Sequence, residues 1–348
     1  MVIGLDPGFG GIKVAAIENE ALQTAHVPAV VGVGTTDLGL LSLGEFGRRR
    51  RRRTEPDTVA FGGVVYLVGE NVHRYARPVE RMDFQRLSGG AELQAAIYAA
   101  LARVFEPGQH ETPILLGLPV EVMADRAQAV EVLRAIRGWL VGEHIFRVNG
   151  EEYAVTVREV RAMPQPAGAF FAWGLDDRGR WVRSKDDLKV PVGICDIGFN
   201  TLDLFAVEAG DVVGRFTAGD TVGMRRAAEL LAQMLRRQYG RELSLHEADT
   251  LLRQRSPRVY VAGRGAVSVT DLARQALETT AAYVVRFLEE RWGRGKQFAY
   301  VLFTGGGAEA LREVLLRQYP YGEVLSDPVT ANAVGLARYA VRVWGGER

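Results

Sequence analysis

The stretch VIGLDPGFGGIKVAAI, residues 2–17, recurs as VGICDIGFNTLDLFAV, residues 192–207. Aligned without a gap, Asp6 falls on Asp196, Gly8 on Gly198 and Phe9 on Phe199, with apolar residues on both sides. Each copy reads as a buried strand, an acidic glycine turn and a strand that returns. One such turn alone usually means only a hairpin, because Gly and Asp tolerate tight turns. Two copies with matched acid, glycine and flanks are not expected by chance. A turn of this kind presents backbone N–H groups in a concave nest that suits phosphate oxygens. The acid at its head can hold a hydrated Mg²⁺ through water, since that ion keeps much of its water shell. Two such hairpins facing each other would clamp a polyphosphate.

A third element follows in order, VLFTGGGAEAL at residues 301–311. A buried strand ends at Thr304, three glycines follow and a helix begins. Glycines let the backbone approach a ligand closely, and a helix start favours negative charge.

Hairpin, hairpin, then strand–TGGG–helix resembles the actin, sugar-kinase and heat-shock-chaperone ATPase superfamily. Within it the chain is most similar to the ParM/StbA-type bacterial and archaeal actin-like proteins. The motif segments carry the resemblance; the remainder is generic α/β sequence. The fold it implies is α/β, two-domain and actin-like (ribonuclease H-like), with a nucleotide cleft between the domains. It also implies residues 1–188 as domain I, with an outer subdomain around 28–75, residues 189–330 as domain II, and 331–348 as a helix returning to domain I.

Length and composition agree. A chain of 348 residues exceeds what one core usually carries. Apolar content of 47% and a mean hydropathy of −0.02 indicate a globular protein. No stretch approaches the ~20 apolar residues that span a bilayer. The chain enters a strand at once, without a basic leader, so secretion is not expected and a cytoplasmic location fits. The single cysteine, Cys195, excludes a disulfide framework. A net charge of +1 gives no global case for nucleic acid or membrane. The five histidines are scattered singly, with no H-E-x-x-H or C-x-x-C. No G-x-S-x-G elbow or Walker A loop is present.

Periodicity predicts a strand at 61–69 and a helix at 91–105. A strand at 113–119 follows, then a helix at 125–140 with Asp125 as N-cap and Val130, Leu133, Ile136 and Leu140 on one face. Residues 153–160 read as a strand. Later helices fall at 221–238, 270–291 and 327–344, with a hairpin-like stretch between the first two.

The resemblance assigns the chemistry residue by residue. Asp6 and Asp196 hold the Mg²⁺ shell, through water. Gly8, Phe9, Gly10 and Gly11, with Gly198, Phe199, Asn200 and Thr201, wrap the phosphates. Lys13 contacts a phosphate, against the plainer reading of a solvent-facing strand lysine. Asp203 stands where Lys13 stands in the first copy; it orients the attacking water or the metal shell, or only stabilises the turn. Thr304, Gly305, Gly306 and Gly307 face the nucleoside and α-phosphate. Gln165, in Pro164-Gln165-Pro166-Ala167-Gly168, is placed to orient a water but is a poor proton acceptor, so catalysis would come from positioning and charge. A sugar kinase needs a carboxylate base instead, and the nearest candidates, Asp176 and Asp177, lie in a polar, loop-like stretch. A loop glutamine without a role is the alternative.

The expected function is an ATPase, with ATP or GTP and Mg²⁺ as cofactors. Its expected partner is itself, in a head-to-tail filament for plasmid or DNA segregation, with a DNA-binding adaptor, or for another cytoskeletal role. A sugar kinase-like phosphotransferase and a regulatory ATP-binding actin relative are the alternatives. The six arginines Arg48 to Arg53 read first as an exposed loop, because like charges repel. They could also meet an acidic face or nucleic acid through counterion release. No membrane partner is expected.

Overall fold

The computed structural model describes residues 1–36, 55–79 and 89–345. The arginine run lies outside the described residues. Contacts divide the chain into two compact units. The first holds Met1–Leu118, Val122–Arg180 and the residues from Ala333 on; the second holds Pro119–Glu121 and Trp181–Asn332.

The first unit opens with β1 (Val2–Gly8), β2 (Gly11–Glu18), β3 (Ala21–Pro28) and β4 (Val31–Val33). Next come β5 (Asp57–Phe61), β6 (Val64–Val68), α1 (Ala91–Leu101) and β7 (Gly108–Leu118). After α2 (Val120–Ala124), which spans the unit boundary, follow α3 (Arg126–Leu140), β8 (Gly142–Val148), β9 (Glu151–Pro164) and α4 (Gln165–Gly174). The strands form one sheet in the order β3-β2-β1-β7-β9-β8-β5-β6-β4. β1 is buried along nearly its whole length, because α1 and the terminal helix cover opposite faces of the sheet. Each fully buried Ile or Leu there, such as Ile3, Leu5 and Ile114, contributes about 1.5–3 kcal/mol.

Two readings of this unit change in the structure. Residues 61–69 are not one strand: β5 and β6 form a hairpin whose turn is Gly62-Gly63, at φ +56° and +78°. Two consecutive positive φ values make a turn that suits a two-residue hairpin and that glycine adopts without strain. On α3, Asp125 caps the helix by accepting from the backbone of Ala127 and Gln128, but only Ile136 and Leu140 are buried, while Val130 is 49% exposed. The helix rides on the sheet by its last turns, so its first apolar residue meets solvent.

The second unit contains β10 (Val192–Ile197), β11 (Leu202–Glu208), β12 (Asp211–Val212), β13 (Ala218–Asp220), α5 (Arg225–Tyr239) and α6 (Leu245–Leu252). The chain continues with β14 (Arg258–Val261), β15 (Gly265–Ser268), α7 (Thr270–Trp292), β16 (Tyr300–Thr304), α8 (Gly306–Ala310), α9 (Arg312–Gln318) and β17 (Gly322–Val324). Its sheet runs β12-β11-β10-β16-β17, with β13 also on β11. α5 ends at Gly240, whose φ of +63° closes the helix. α6 starts with a capping box between Ser244 and Glu247. Leu231, Leu235, Val284 and Leu288 of α5 and α7 join one core with Ile197, Leu204 and Phe303 of the sheet.

The last helix, α10 (Ala331–Trp344), begins in the second unit and packs on the first. Ala333, Val334 and Ala337 lie against Ala15 and Ile17, and Leu336 and Ala340 against Leu115. A side chain at Gly335 would come 1.7 Å from the Gly168 carbonyl oxygen, so α10 and α4 cross in backbone contact that only glycine permits.

Candidate functional site

The repeat seen in the sequence is a repeat of register. In the first hairpin Asp6 pairs with Lys13, and in the second Asp196 pairs with Asp203. The ladders differ at the tip. The first stays paired to Gly8–Gly11 around the tight turn Phe9-Gly10. The second ends at Ile197–Leu202, and Gly198 to Thr201 form a wider turn closed by Gly198 N–H donating to Thr201 O at 2.9 Å.

In the first hairpin Asp6 is 3% exposed and both its oxygens are engaged. Gln165, the first residue of α4, donates its Nε2 to Oδ1 at 2.7 Å, and Lys13 Nζ lies 3.4 Å from Oδ2. Gly8 leaves room for that ammonium, because a side chain there would sit 2.5 Å from Nζ. Lys13 is therefore not a solvent-facing strand lysine.

The second hairpin is built with the opposite charge. Asp203 replaces the lysine and is 1% exposed. Burial first, then the charge of Asp196, pushes its carboxyl up to about 8, against the hydrogen bonds it receives from Thr201 and the Val120 backbone. Asp196, 6% exposed, accepts from Asn332 Nδ2 at 2.6 Å. Asn200 Oδ1, Asp203 Oδ2 and Asn332 Oδ1 are buried without a hydrogen-bond partner among the described residues. The two amide oxygens can only accept, and Asp203 Oδ2 accepts once its carboxyl is ionised; they lie on one hairpin and on the residue that grips it. Such atoms are costly unless a donor arrives.

The wider turn also sets its amides. Gly198 O and Phe199 O accept from Met224 N–H and Arg225 N–H at the start of α5, at 3.0 and 2.7 Å. A trans peptide points N–H opposite C=O, so the Phe199 and Asn200 amides face away from α5, as a phosphate nest requires. The Phe199 ring itself stacks on His246 of α6, with centroids 5.6 Å apart, and burial lowers the pKa of that imidazole.

The glycine turn meets the second hairpin through the sheet, where Thr304 of β16 pairs with Asp196. Gly305 has φ +84°, and a side chain there would lie 2.3 Å from Asp196 Oδ1. Gly307 packs on Ile197, and Gly306 O accepts from Arg253 at 3.0 Å. The expectation that Thr304 faces a nucleoside meets a different geometry. Thr304 is fully buried, and its hydroxyl and the Gly305 N–H both donate to Pro328 O, at 3.1 and 2.7 Å. These two groups brace the turn from behind. Asp176 and Asp177 are tied to Arg180 and Arg338, each at 2.8 Å, and neither stands as a free base.

Asn332 and Arg253 escaped the sequence reading. Asn332 lies far from Asp196 in the chain, and its only sequence signal is an amide three residues before a glycine, as Gln165 precedes Gly168. Among the described residues no group of three or more His, Cys, Asp or Glu could ligate a metal directly. No helix is long and apolar enough to cross a membrane, again among the described residues.

Two units that each carry an acid-bearing hairpin beside two parallel strands define a mixed α/β, two-domain actin-like fold. The chain belongs to the actin-like proteins: residues 4–168 match the family described as actin like proteins N terminal domain, and residues 194–317 match archaeal actin homologue MreB-like, C-terminal. It is similar to the solved archaeal actin homologue Ta0583 in complex with ADP, at 17% identity and a TM-score of 0.72, over 98% of this chain and 99% of that one. It is likewise similar to a ParM from Clostridium botulinum solved as a 15-stranded filament, at 19% identity and a TM-score of 0.75, over 98% and 99%. The apo ParM of psk41 aligns at 14% identity and a TM-score of 0.68, over 99% and 98%. Among curated protein sequences none matches the chain.

Proposed function

We propose that the chain binds and hydrolyses a Mg²⁺-nucleoside triphosphate, ATP or GTP, and assembles head to tail into filaments that segregate plasmid or other DNA in the cytoplasm, through a DNA-binding adaptor. The observation that carries the nucleotide reading is the pair of gripped carboxylates, Asp6 by Gln165 and Asp196 by Asn332, at matched register. The ADP bound by the archaeal homologue supports it, and the filament of the Clostridium ParM supports self-assembly.

The residues fit a hydrated Mg²⁺ on the second hairpin. A cation there would neutralise Asp196 and Asp203, and its waters would donate to the three unpaired acceptors. When bound it supplies charge neutralisation of the phosphates. Asp6 has a lysine instead, so its hairpin offers Lys13 to a phosphate. The Phe199 and Asn200 amides serve a phosphate oxygen. Gln165, its Nε2 held by Asp6, presents Oε1 to orient the attacking water. Asp176 and Asp177, the carboxylates that follow Gln165, are ion-paired, which speaks against either as the base for transfer to a sugar hydroxyl.

Light scattering with phosphate release on the purified protein, with Mg-ATP, Mg-GTP and neither, tests the proposal. Nucleotide-dependent scattering followed by phosphate release is expected. Release without scattering would leave a monomeric hydrolase, and neither signal would sink the reading.

A further inference from the structure

The duplication runs deeper than the hairpins. In the first unit the order β3-β2-β1-β7-β9 ends in a strand that feeds α4; in the second, β12-β11-β10-β16-β17 ends in a strand that leads to α10. β9 lies parallel to β7, which lies parallel to β1; β17 lies parallel to β16, which lies parallel to β10. The helix after the fifth strand therefore starts at the same place in each repeat. Each starts with an amide residue in its first turn, Gln165 or Asn332, three residues before a glycine, Gly168 or Gly335. Each amide donates to the aspartate of its own repeat's first strand, at 2.7 Å to Asp6 and 2.6 Å to Asp196.

We infer that Asn332 is the second repeat's counterpart of Gln165, a positioning residue that fixes the Asp196 carboxylate and offers Oδ1 to a donor bound beside it. The inference rests on the reading that a hydrated Mg²⁺ with nucleotide binds at Asp196. Asn332 is 4% exposed, so its Nδ2 contact is shielded from water and its unpaired Oδ1 has no solvent to turn to. An amide is the side chain for this place. It donates to a carboxylate with one atom and accepts with the other, without adding charge beside Asp196 and Asp203. A purely structural residue at a helix start would not need to leave a buried acceptor empty.

The test is the Mg²⁺ dependence of binding of a fluorescent ADP analogue to the full chain, with melting of the unliganded protein beside it. Asn332→Ala is expected to raise the half-saturating Mg²⁺ concentration about tenfold, as loss of a hydrogen bond to a charged group implies. In an Asp196→Ala background the same substitution is expected to add less than about twofold, because Asn332 acts through Asp196. Equal effects in both backgrounds would mean that Asn332 does not act through Asp196 and overturn the inference. Asn332→Leu keeps the volume of the side chain and covers the case in which the alanine variant does not fold. It is expected to raise the half-saturating Mg²⁺ concentration by a similar factor, and no rise overturns the inference alone. Wild-type protein that binds no ADP at any Mg²⁺ concentration removes the nucleotide reading, and this inference with it.

Discussion

The two hairpins share register, strand pairing and an amide grip on their aspartate, yet they differ in one residue's charge. Opposite Asp6 stands Lys13, and opposite Asp196 stands Asp203. The first hairpin is neutralised internally and its carboxylate is satisfied. The second buries two carboxyls against each other and leaves three oxygens without a hydrogen-bond partner among the described residues. On the function proposed above, the first hairpin offers a lysine to the ligand and the second receives a cation. The comparison teaches that the two copies keep one geometry while the charge opposite the aspartate changes sign.

The sharpest way to break this contrast is to remove the aspartates in turn. Asp196→Ala is expected to lower the rate of phosphate release by about 10²–10³, the cost typical of losing a fixed electrostatic group in an active site. The half-saturating Mg²⁺ concentration of nucleotide binding should rise with it. Asp6→Asn is expected to weaken nucleotide binding while shifting that Mg²⁺ concentration by less than about threefold, since Asp6 is balanced by Lys13. Equal Mg²⁺ shifts in both variants would erase the difference between the hairpins.

The next effect is on stability. Asp203 ionises near pH 4 when unfolded and near 8 when folded, because of burial and then the charge of Asp196. Between those values the folded state keeps a proton that the unfolded state has lost. Stability is therefore fullest below about pH 4, falls as pH rises towards about 8, and levels beyond. Asp203→Asn removes this dependence. Between pH 5 and pH 9 the wild type should lose about 4 kcal/mol more than the variant in denaturant melts. Parallel curves would show that Asp203 is ionised in the fold and that the second hairpin carries no unusual charge.

How much of this was legible in the sequence follows from how local each feature is. The hairpins and their matched acids could be read because turn, acid and strands lie within one window. Asp125 could be read as a cap for the same reason. The Gly62-Gly63 turn was missed because an apolar run with an internal glycine pair has the same composition whether straight or folded back. Val130 was misplaced because periodicity names a face and does not say how far along the helix that face meets the sheet. Asn332 was invisible because its meaning depends on a sheet that brings it to Asp196, and no spacing rule encodes that approach.

Lys13→Met tests the other side of the comparison. It leaves Asp6, 4% exposed in its side chain, with only the Gln165 amide, while Lys13 itself is 16% exposed. The expected loss is about 2 kcal/mol, below the ~3–5 kcal/mol of a fully buried pair, because water reaches the ammonium. Urea melts measure it. In an Asp6→Asn background the same substitution should cost clearly less, since an uncharged amide no longer needs the lysine. An equal loss in both backgrounds would assign the lysine's role to packing of its stem rather than to charge.

The smallest expected effect separates bracing from binding in the glycine turn. Thr304→Val keeps the shape of the fully buried side chain but removes the hydroxyl that donates to Pro328 O. The carbonyl keeps the Gly305 N–H at 2.7 Å, so it is not orphaned. The expected cost is about 1 kcal/mol of stability, the net worth of one neutral hydrogen bond. Affinity for the fluorescent ADP analogue should stay within about twofold of wild type, because the hydroxyl points into the turn's own support. An affinity loss of about tenfold with unchanged melting would reverse the assignment. Thr304 would then be a contact in the ligand site, and the second unit would hold the nucleotide with a side chain that this geometry assigns to holding its own loop.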